Sequence, residues 1–197
     1  MNISPVTLRG CYIQLEPLSL DHIDDLNEAN IEPETWKYML YGSIVGRDKM
    51  ASWVEDILGR ASKGTEMPFA VRDLKSDKAI GATRYFDIRA KDRGLEIGGT
   101  WYSPTYRRTY VNTEAKYLLF RHAFEVMGCI RVQLKTDSRN TRAIEAIKRI
   151  GAVQEGILRN HLILDDGFFR NSVFFSIIES EWPKIKADLE LSLYSGQ

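Results

Sequence analysis

The sequence predicts an α+β (mixed α/β) fold in which one twisted, mixed sheet of about seven strands is flanked by helices. Two observations predict it. Short apolar segments typical of strands recur along the chain, and longer segments with apolar residues at helical spacing lie between them. After an early β-α-α segment the order is ββα–βα–ββ, which is typical of an α+β or mixed α/β sheet.

The predicted strands are short apolar runs bounded by turns rich in Pro, Gly or Asp. Polar turns at residues 73–78 and 165–167 join two pairs of them as hairpins. The strands cover residues 12–16, 69–72, 79–88, 94–102, 131–136, 157–164 and 172–178.

The helices are predicted from capping residues that precede apolar residues at helical spacing. The first helix is capped by Ser19 or Asp21 and ends at Asn30, and the second covers residues 48–63. The third helix follows a basic turn and ends at Gly128. The fourth is capped by Asn140 and has Gly151 just past its end, and the last begins at Glu181. The helix before Gly128 has the clearest apolar stripe, formed by Ala115, Leu118, Leu119, Ala123 and Val126.

Length and composition limit the class of protein. With 197 residues, of which 44% are apolar and 27% charged, the chain is expected to form a single globular domain over residues 1–197. The 27 basic residues balance the 27 acidic ones, so no bulk charge favours nucleic acid or an anionic membrane as a partner. Any anion site must therefore be local.

Cysteine and histidine usage favours a cytoplasmic protein without a structural metal. Cys11 and Cys129 match no metal or redox spacing, so we expect two reduced thiols. The three histidines show no paired spacing, and no metal site is expected. We also expect neither a signal peptide nor a membrane span, because no segment has the required apolar pattern.

The most informative segment runs from Trp101 to Ala115. An apolar strand ends there, a polar turn with Arg107 and Arg108 follows, and a helix begins. Such a turn binds anions, because free backbone N–H groups and the helix dipole point at it. Two arginines beside those donors favour a diphosphate over one carboxylate. The segment therefore predicts a nucleotide-like cofactor.

The order of elements and several spaced motifs resemble the GNAT N-acetyltransferases, and most closely the branch of the ribosomal-protein N-terminal acetyltransferases. The resemblance extends over nearly the whole chain. The motifs that carry it are the turn Arg107–Thr113, Asn140 followed eleven residues later by Gly151-Ala152, the strand segment Leu95–Gly98, and Glu155–Arg159.

The resemblance implies acetyl-CoA as co-substrate and a primary amine, either a protein N-terminus or a small molecule, as acceptor. It also implies that strands four and five, residues 94–102 and 131–136, splay apart to admit the pantetheine arm. A homodimer through the late hairpin is a further expectation. The residues implied in cofactor binding are Trp101, Tyr102, Arg107, Arg108, Thr109, Tyr110, Val111, Asn112, Thr113 and Asn140.

The turn departs from the family pattern at two positions. Arg107 fits, but Tyr110 and Asn112 stand where the family has small residues that let backbone approach phosphate. Their side chains are therefore expected to point away from the site, and Asn112 could cap the helix. This departure keeps open an alternative, which is an acyl-CoA-binding or regulatory protein with the same fold and little or no turnover.

Glu96 is the candidate catalytic residue. By resemblance, a carboxylate on this strand takes the proton of the amine, directly or through water, in a direct attack that needs no enzyme nucleophile. A role in orienting the substrate is the alternative. Regular alternation places Glu96 on the same face as Gly98, Thr100 and Tyr102.

No general acid is evident, since Phe174 and Phe175 stand where a Tyr hydroxyl would be convenient. His161 and Tyr106 are weaker substitutes. Glu114 lies in the first turn of the helix after the basic turn and is expected to turn away and pair with Lys116, Arg107 or Arg108.

Two sets of residues could contact the acceptor. An early aromatic group could wall a substrate cleft, with ordinary core packing as the alternative. Four scattered arginines could contact an acidic substrate, with solvated surface positions as the alternative. The aromatic group is Trp36, Tyr38, Tyr41 and Trp53, and the arginines are Arg84, Arg89, Arg93 and Arg170.

Overall fold

The computed structural model describes residue 1 and residues 3–194. This part of the chain contains eight strands in one sheet and five α-helices around it. The strands are β1 (Leu8–Arg9), β2 (Ile13–Pro17), β3 (Met67–Asp73), β4 (Lys78–Arg89), β5 (Gly94–Tyr102), β6 (Arg131–Asp137), β7 (Val153–Ile163) and β8 (Phe169–Ile178). The helices are α1 (Ile23–Ala29), α2 (Arg47–Ala61), α3 (Tyr110–Arg121), α4 (Thr141–Arg149) and α5 (Trp182–Tyr194).

The predicted fold class is confirmed. The strands lie in the order β1-β2-β3-β4-β5-β6-β8-β7, and both predicted hairpins are present as β3–β4 and β7–β8. The additional strand is β1, whose two residues pair with β2. A two-residue strand gives no periodic signal, which is why the sequence does not predict it.

Strands β5 and β6 pair in parallel, while every other neighbouring pair is antiparallel. Their pairing covers Gly94 with Arg131, Leu95 with Val132 and Glu96 with Gln133, and then stops. Both strands continue beyond that point, so they diverge toward their carboxyl ends. These are the strands numbered four and five in the sequence prediction.

A β-bulge in β5 corrects the predicted alternation of its side chains. Ala82 pairs with Trp101 and Arg84 with Gly98, so Gly99 and Thr100 together lie opposite Thr83. Gly99 has φ +57°, a left-handed backbone that glycine adopts without strain. One extra residue reverses which face the following side chains occupy.

The prediction that Glu96 shares a face with Thr100 and Tyr102 is therefore wrong beyond the bulge. Trp101, instead, packs in the apolar layer under α1 and α2, whereas Tyr102 packs against the layer of α3–α5. The pair Gly98-Gly99 does not show from sequence alone which of the two glycines forms the bulge and interrupts the alternation of side chains.

Two apolar layers cover the faces of the sheet. One contains α3, α4 and α5, with Tyr85, Phe120 and Phe175 among its fully buried residues. The other contains α1 and α2 and includes Trp36 and Trp53. Within residues 3–194, no helix has both the length and the apolar character needed to cross a membrane.

The apolar stripe predicted for α3 is wrong at its last member. After Arg121 the helix continues as a π-helical turn over His122–Val126, with Met127 N–H donating to His122 O at 2.9 Å. A π turn contains more residues than an α turn and so shifts the phase of the following side chains. Val126 consequently faces solvent at 72% exposure, and Met127 is buried in its place.

The late hairpin begins earlier than predicted, because β7 starts at Val153 and not at residue 157. The sequence does not predict the first residues of β7, because they include Gln154, Glu155 and Gly156, which are poor strand formers. β7 is the edge strand of the sheet and its residues are largely exposed, with Ile157 and Leu158 among them. The homodimer through this hairpin stays a prediction.

Glu114 joins α3 to both ends of the described chain, and the expected pairing with Lys116, Arg107 or Arg108 is wrong. Its buried carboxylate accepts hydrogen bonds from the backbone N–H groups of Cys11, Tyr12 and Ile13 at 2.7, 3.0 and 2.8 Å, and from the Tyr194 hydroxyl at 3.0 Å. A Cβ on Gly10 would lie 2.5 Å from the carboxyl carbon, so the turn before β2 needs glycine to approach it.

We expect Glu114→Gln to destabilise the protein. An amide offers one acceptor oxygen, so at least one buried backbone donor loses its partner, at a cost of about 1–3 kcal/mol. Urea unfolding measures the change in free energy. The control is Glu55→Gln on the exposed face of α2, for which we expect a change within about 0.5 kcal/mol. Equal stability of the two variants would contradict this role of Glu114.

Candidate active site

The carboxyl ends of β5 and β6 bring together the features that the sequence singles out. Each strand leads into a helix that begins at this edge, α3 after β5 and α4 after β6. Thr109 caps α3 by accepting from the N–H of Val111 at 3.3 Å, and Asn140 caps α4 by accepting from the N–H of Ala143 at 3.1 Å. An edge where parallel strands diverge is a usual ligand site, and helix N-termini favour anions there.

The basic turn uses its two arginines differently. Arg107 turns toward the segment between α1 and α2, where it donates to Glu32 Oε2 at 2.5 Å and to Thr35 Oγ1 at 2.8 Å. Arg108 is exposed and has φ 61°, so it is the left-handed residue of the turn. Arg108 is therefore the arginine whose guanidinium faces solvent at this edge.

The two unusual residues of the turn lie inside α3, which begins at Tyr110. Their backbone is helical, so neither position needs the conformational freedom of glycine. The Tyr110 ring packs against Tyr12, with ring centroids 4.3 Å apart. Because Thr109 is the cap, the expectation that Asn112 caps the helix is wrong.

The remaining residues implied in cofactor binding have different surroundings. Val111 is fully buried in the core. Thr113 lines a small cavity of about 100 Å³ between α3, the end of α4 and α5. Trp101 is buried against Trp36, and the buried Tyr102 hydroxyl has no hydrogen-bond partner among the described residues. Burial raises the pKa of Tyr102.

Glu96 lies where the parallel pairing of β5 and β6 ends, and its residue is 1% exposed. Its Oε2 atom accepts hydrogen bonds from Gln133 Nε2 at 2.8 Å and from Lys135 Nζ at 2.9 Å. Lys135 also lies over the rings of Phe86 and Phe174, at 5.1 and 5.9 Å from their centroids. The carboxylate is thus an ion-paired group in a partly aromatic environment.

Arg84 and Glu66 form a second ion pair on the same face of the sheet. Arg84 Nε lies 2.9 Å from Glu66 Oε2, although the angle is poor for a hydrogen bond. The guanidinium also donates to the Tyr41 hydroxyl. Burial lowers the pKa of Arg84 to about 10 while Glu96 opposes the shift, so the group stays charged at neutral pH.

A third ion pair lies at the carboxyl end of β6. The fully buried Asp137 accepts from Arg139 Nε at 3.0 Å and from Arg139 Nη2 at 2.7 Å. Burial by itself raises the pKa of Asp137, but these hydrogen bonds lower it and the net shift is downward. Arg139 in turn lies over the Phe168 ring, 3.6 Å from its centroid.

Arg170 and His161 complete the polar set on the late hairpin. Arg170 Nη1 donates to the backbone oxygen of Tyr38 at 3.2 Å. His161 lies edge-on to Phe174 at a centroid distance of 5.3 Å, and burial, with Lys135 and Arg170 nearby, lowers its pKa. The loop from Tyr38 to Tyr41 therefore contacts Arg170 on one side of the diverging strands and Arg84 on the other.

These contacts show which of the early aromatic residues and which of the four arginines lie near the candidate site. Trp36 and Trp53 are core residues, whereas Tyr38 and Tyr41 contact the charged groups. Arg89 pairs with Asp87, and Arg93 lies 3.9 Å from Glu179, both at the surface. Arg84 and Arg170 are buried, so they alone of the four arginines lie near Glu96 in the interior.

Sequence analysis does not single out Gln133, Lys135 and Asp137. These polar residues alternate along β6 and so share one face of the sheet, which is a signal that the sequence contains. Glu96, which accepts from Gln133 and Lys135, is 39 residues away from Lys135, and such a distant ion pair leaves no local pattern.

Lys116 is a buried amine on the opposite face of β5. Its Nζ atom donates to Thr100 Oγ1 at 2.7 Å, and Thr100 Oγ1 lies 2.8 Å from Thr83 Oγ1. Burial lowers the pKa of Lys116 from 10.5 to about 7. A lysine thus supports the β5 bulge from the side of α3.

The described residues include no group of three or more His, Cys, Asp or Glu side chains placed to hold a metal ion. The arrangement instead offers helix N-termini, an exposed arginine and a buried carboxylate around a gap between strands. Such a site can hold an extended anionic molecule and accept or orient a proton-bearing group.

Comparison with known proteins agrees with this geometry. Residues 13–153 match the family model of the acetyltransferase (GNAT) domain. A proposed acetyltransferase from T. thermophilus is 34% identical, with a TM-score of 0.89 over 98% of this chain and 100% of that chain. A GCN5-related N-acetyltransferase from Brucella melitensis is 28% identical, with a TM-score of 0.90 over 98% and 90%. RimJ of Mycobacterium smegmatis, solved with CoA-disulfide, has the same fold at 17% identity and a TM-score of 0.81 over 95% and 94%.

We expect the stability of the protein to rise with pH through the titration of Lys116. Between its folded pKa of about 7 and its ordinary value of 10.5, the unfolded chain binds a proton that the folded protein does not. Stability therefore increases across this window, on the order of 1 kcal/mol per pH unit, and Lys116 adds no slope below it. Urea unfolding at pH 7 and pH 9 tests this against Lys116→Met, which lacks the titration. Parallel pH dependence of the two proteins would contradict it.

Proposed function

The chain belongs to the GNAT family of N-acetyltransferases, and we propose that it transfers an acetyl group from acetyl-CoA to a primary amine within a ternary complex. The observation that carries the proposal is the early end of the β5–β6 pairing. Glu96 is buried where the pairing stops, and the capped N-termini of α3 and α4 lie at the edge toward which the strands diverge. All eight strands join one sheet, which supports a single catalytic domain over the chain.

Acetyl-CoA is the proposed co-substrate. The family and the CoA-disulfide held by RimJ of Mycobacterium smegmatis support this choice. We place the diphosphate at the N-terminus of α3, where Arg108, the backbone N–H groups and the helix dipole face it. Asn140 and the backbone of Trp101 and Tyr102 would bind the pantetheine arm in the gap. Arg107 would act by holding the turn against Glu32 and Thr35.

The reaction needs three things from the protein. The amine must be neutral when its nitrogen attacks the thioester carbon, the carbonyl oxygen needs donors as charge develops, and the carbon–sulfur bond must break toward a thiol. Backbone N–H groups of the diverging part of β5 would stabilise the oxygen. The thiolate is a fair leaving group, because an ordinary thiol has a pKa near 8.5.

Glu96 would receive the proton of the amine directly or through water, or would orient the amine. Its burial and its position at the gap support either role. Lys135 holds the carboxylate at 2.9 Å, so an ammonium form of the acceptor would have to compete with the lysine. The neutral amine, which is the reactive form, carries no positive charge and so does not compete with Lys135 for the carboxylate.

The acceptor lies, in this proposal, on the α1–α2 face, where Tyr38 and Tyr41 approach the charged groups. Either a protein N-terminus or a small amine fits the chemistry of the site. A cytoplasmic location and a homodimer stay predictions.

A protein that binds acyl-CoA with little turnover is the second candidate. It is favoured by the turn itself, in which Arg107 is engaged by Glu32 and no small residue stands at positions 110 and 112. Calorimetric titration with acetyl-CoA, CoA and ATP, followed by thiol detection with a panel of amines, separates the two. Micromolar acetyl-CoA binding with thiol release supports the transferase, and binding without release from any amine supports the second candidate.

We expect Arg108→Ala to weaken CoA binding by about 10- to 150-fold, since a charged hydrogen bond contributes about 1.5–3 kcal/mol. Its stability should not change, because Arg108 is exposed. Calorimetry measures the affinity, with Arg9→Ala, a change at an exposed residue of β1, as control. Equal affinity of the two variants would remove Arg108 from the diphosphate site.

We expect Glu96→Gln to lower turnover and leave CoA affinity unchanged. A general base contributes about 10²–10⁴-fold, so a loss in this range with a changed pH–rate profile between about pH 6 and 9 identifies Glu96 as the base. A higher KM for the amine with an unaltered pH profile identifies an orienting role. Wild-type kinetics in the variant would exclude both.

A further inference from the structure

We infer that the acceptor amine also carries a carboxylate, which Arg170 binds while the amine faces Glu96. The inference rests on the proposed acetyl transfer and adds the chemical class of its acceptor. The observation behind it is a buried guanidinium without a matching anion.

Arg170 is 5% exposed, yet its one hydrogen bond within the described residues is to the backbone oxygen of Tyr38 at 3.2 Å. Its Nε atom is buried and has no hydrogen-bond partner in that part of the chain. Within residues 3–194, no carboxylate oxygen lies within 4 Å of it. A buried charge without a counter-charge is costly, so proteins keep one mainly where a ligand supplies the missing charge.

Three carboxylates on this face each have a cation within 4 Å, although one of those cations, Arg139, is exposed. Glu66 pairs with Arg84, Glu96 with Lys135, and Asp137 with Arg139. None of these carboxylates lies within 4 Å of Arg170, which is therefore a buried cation without a contacting carboxylate among the described residues. Burial lowers the pKa of Arg170 while Asp137 and Glu96 oppose the shift, which places Arg170 in the electrostatic field of both carboxylates.

Two further polar atoms beside Arg170 are buried without a partner among the described residues. They are Ser172 Oγ, two residues along β8 on the same face, and Nδ1 of His161, whose ring lies against Phe174 on that face. A hydroxyl and a guanidinium N–H donate hydrogen bonds, and so does an imidazole nitrogen in the appropriate tautomer. A carboxylate accepts such bonds, and the planar guanidinium suits its two oxygens.

The cluster adjoins solvent on the side of β7. His161 lines an open groove there together with Asn160 and Asn171, so an acceptor can reach the cluster from that edge. From Arg170 toward the gap between β5 and β6 it would pass Phe174 and Lys135 before reaching Glu96. One molecule with an amine and a carboxylate can satisfy both ends of this arrangement.

The test compares matched acceptors: free amino acids, the same amino acids as amides, and phosphoethanolamine beside ethanolamine. We expect wild-type kcat/KM, measured by thiol release, to be at least tenfold higher for the free amino acids than for their amides. Arg170→Gln should bring this ratio close to one without changing CoA affinity. Arg170→Lys keeps the positive charge but loses the planar guanidinium, so it should retain part of the preference for free amino acids. This variant also shows whether a loss of preference in Arg170→Gln is due to a folding defect.

Arg9→Gln is the control and should keep the wild-type ratio, since Arg9 lies on β1 at the other end of the sheet. Turnover of amides and free amino acids at equal rates, or an unchanged ratio in Arg170→Gln, would overturn the inference and leave the proposed function standing. A preference for phosphoethanolamine over the amino acids would also overturn it. Absence of thiol release with every amine would overturn the proposed function and this inference with it.

Discussion

The parallel pairing of β5 and β6 stops after three residue pairs, and the candidate site is arranged around that point. Parallel strands normally continue side by side because each backbone group needs a partner. Here the pairing ends at Glu96, the β5 bulge at Gly99 follows three residues later, and the Glu96–Lys135 ion pair lies on one face of the sheet beside that point. The strands part, and their unpaired backbone groups remain available to a bound molecule.

The two faces of this gap have different chemistry. The α3–α4 face presents helix N-termini and an exposed arginine, which suit an anionic co-substrate. The α1–α2 face presents three ion pairs, aromatic rings and one unmatched arginine, which suit a small polar acceptor. In the proposed acetyl transfer such a division would let each reactant be held without occupying the place of the other.

Much of the fold could be predicted from the sequence because its elements carry local signals. The Asn140 cap, the hairpin turns and the apolar stripe up to Ala123 depend on near neighbours in the chain, and the structure contains them. The bulge at Gly99 and the π turn before Met127 change the phase of side chains without a local signal, so regular periodicity assigns Tyr102 and Val126 to the wrong faces. The ion pairs join residues that are distant in sequence, such as Glu96 and Lys135, and only the folded sheet brings them together.

Glu114 has a consequence for how the protein is made. Its carboxylate binds backbone groups that precede it by about 100 residues and a hydroxyl that follows it by 80 residues. A ribosome therefore releases the N-terminal partners and α3 well before Tyr194 is synthesised. Until then Oε1 of this buried acid has only one of its two donors, so the hydrogen-bond network that joins α3 to both ends of the described chain is complete only when α5 has folded against it. Such long-range closure is slow compared with helix formation, so we expect the proposed diphosphate site to be among the last parts of the nascent chain to be completed.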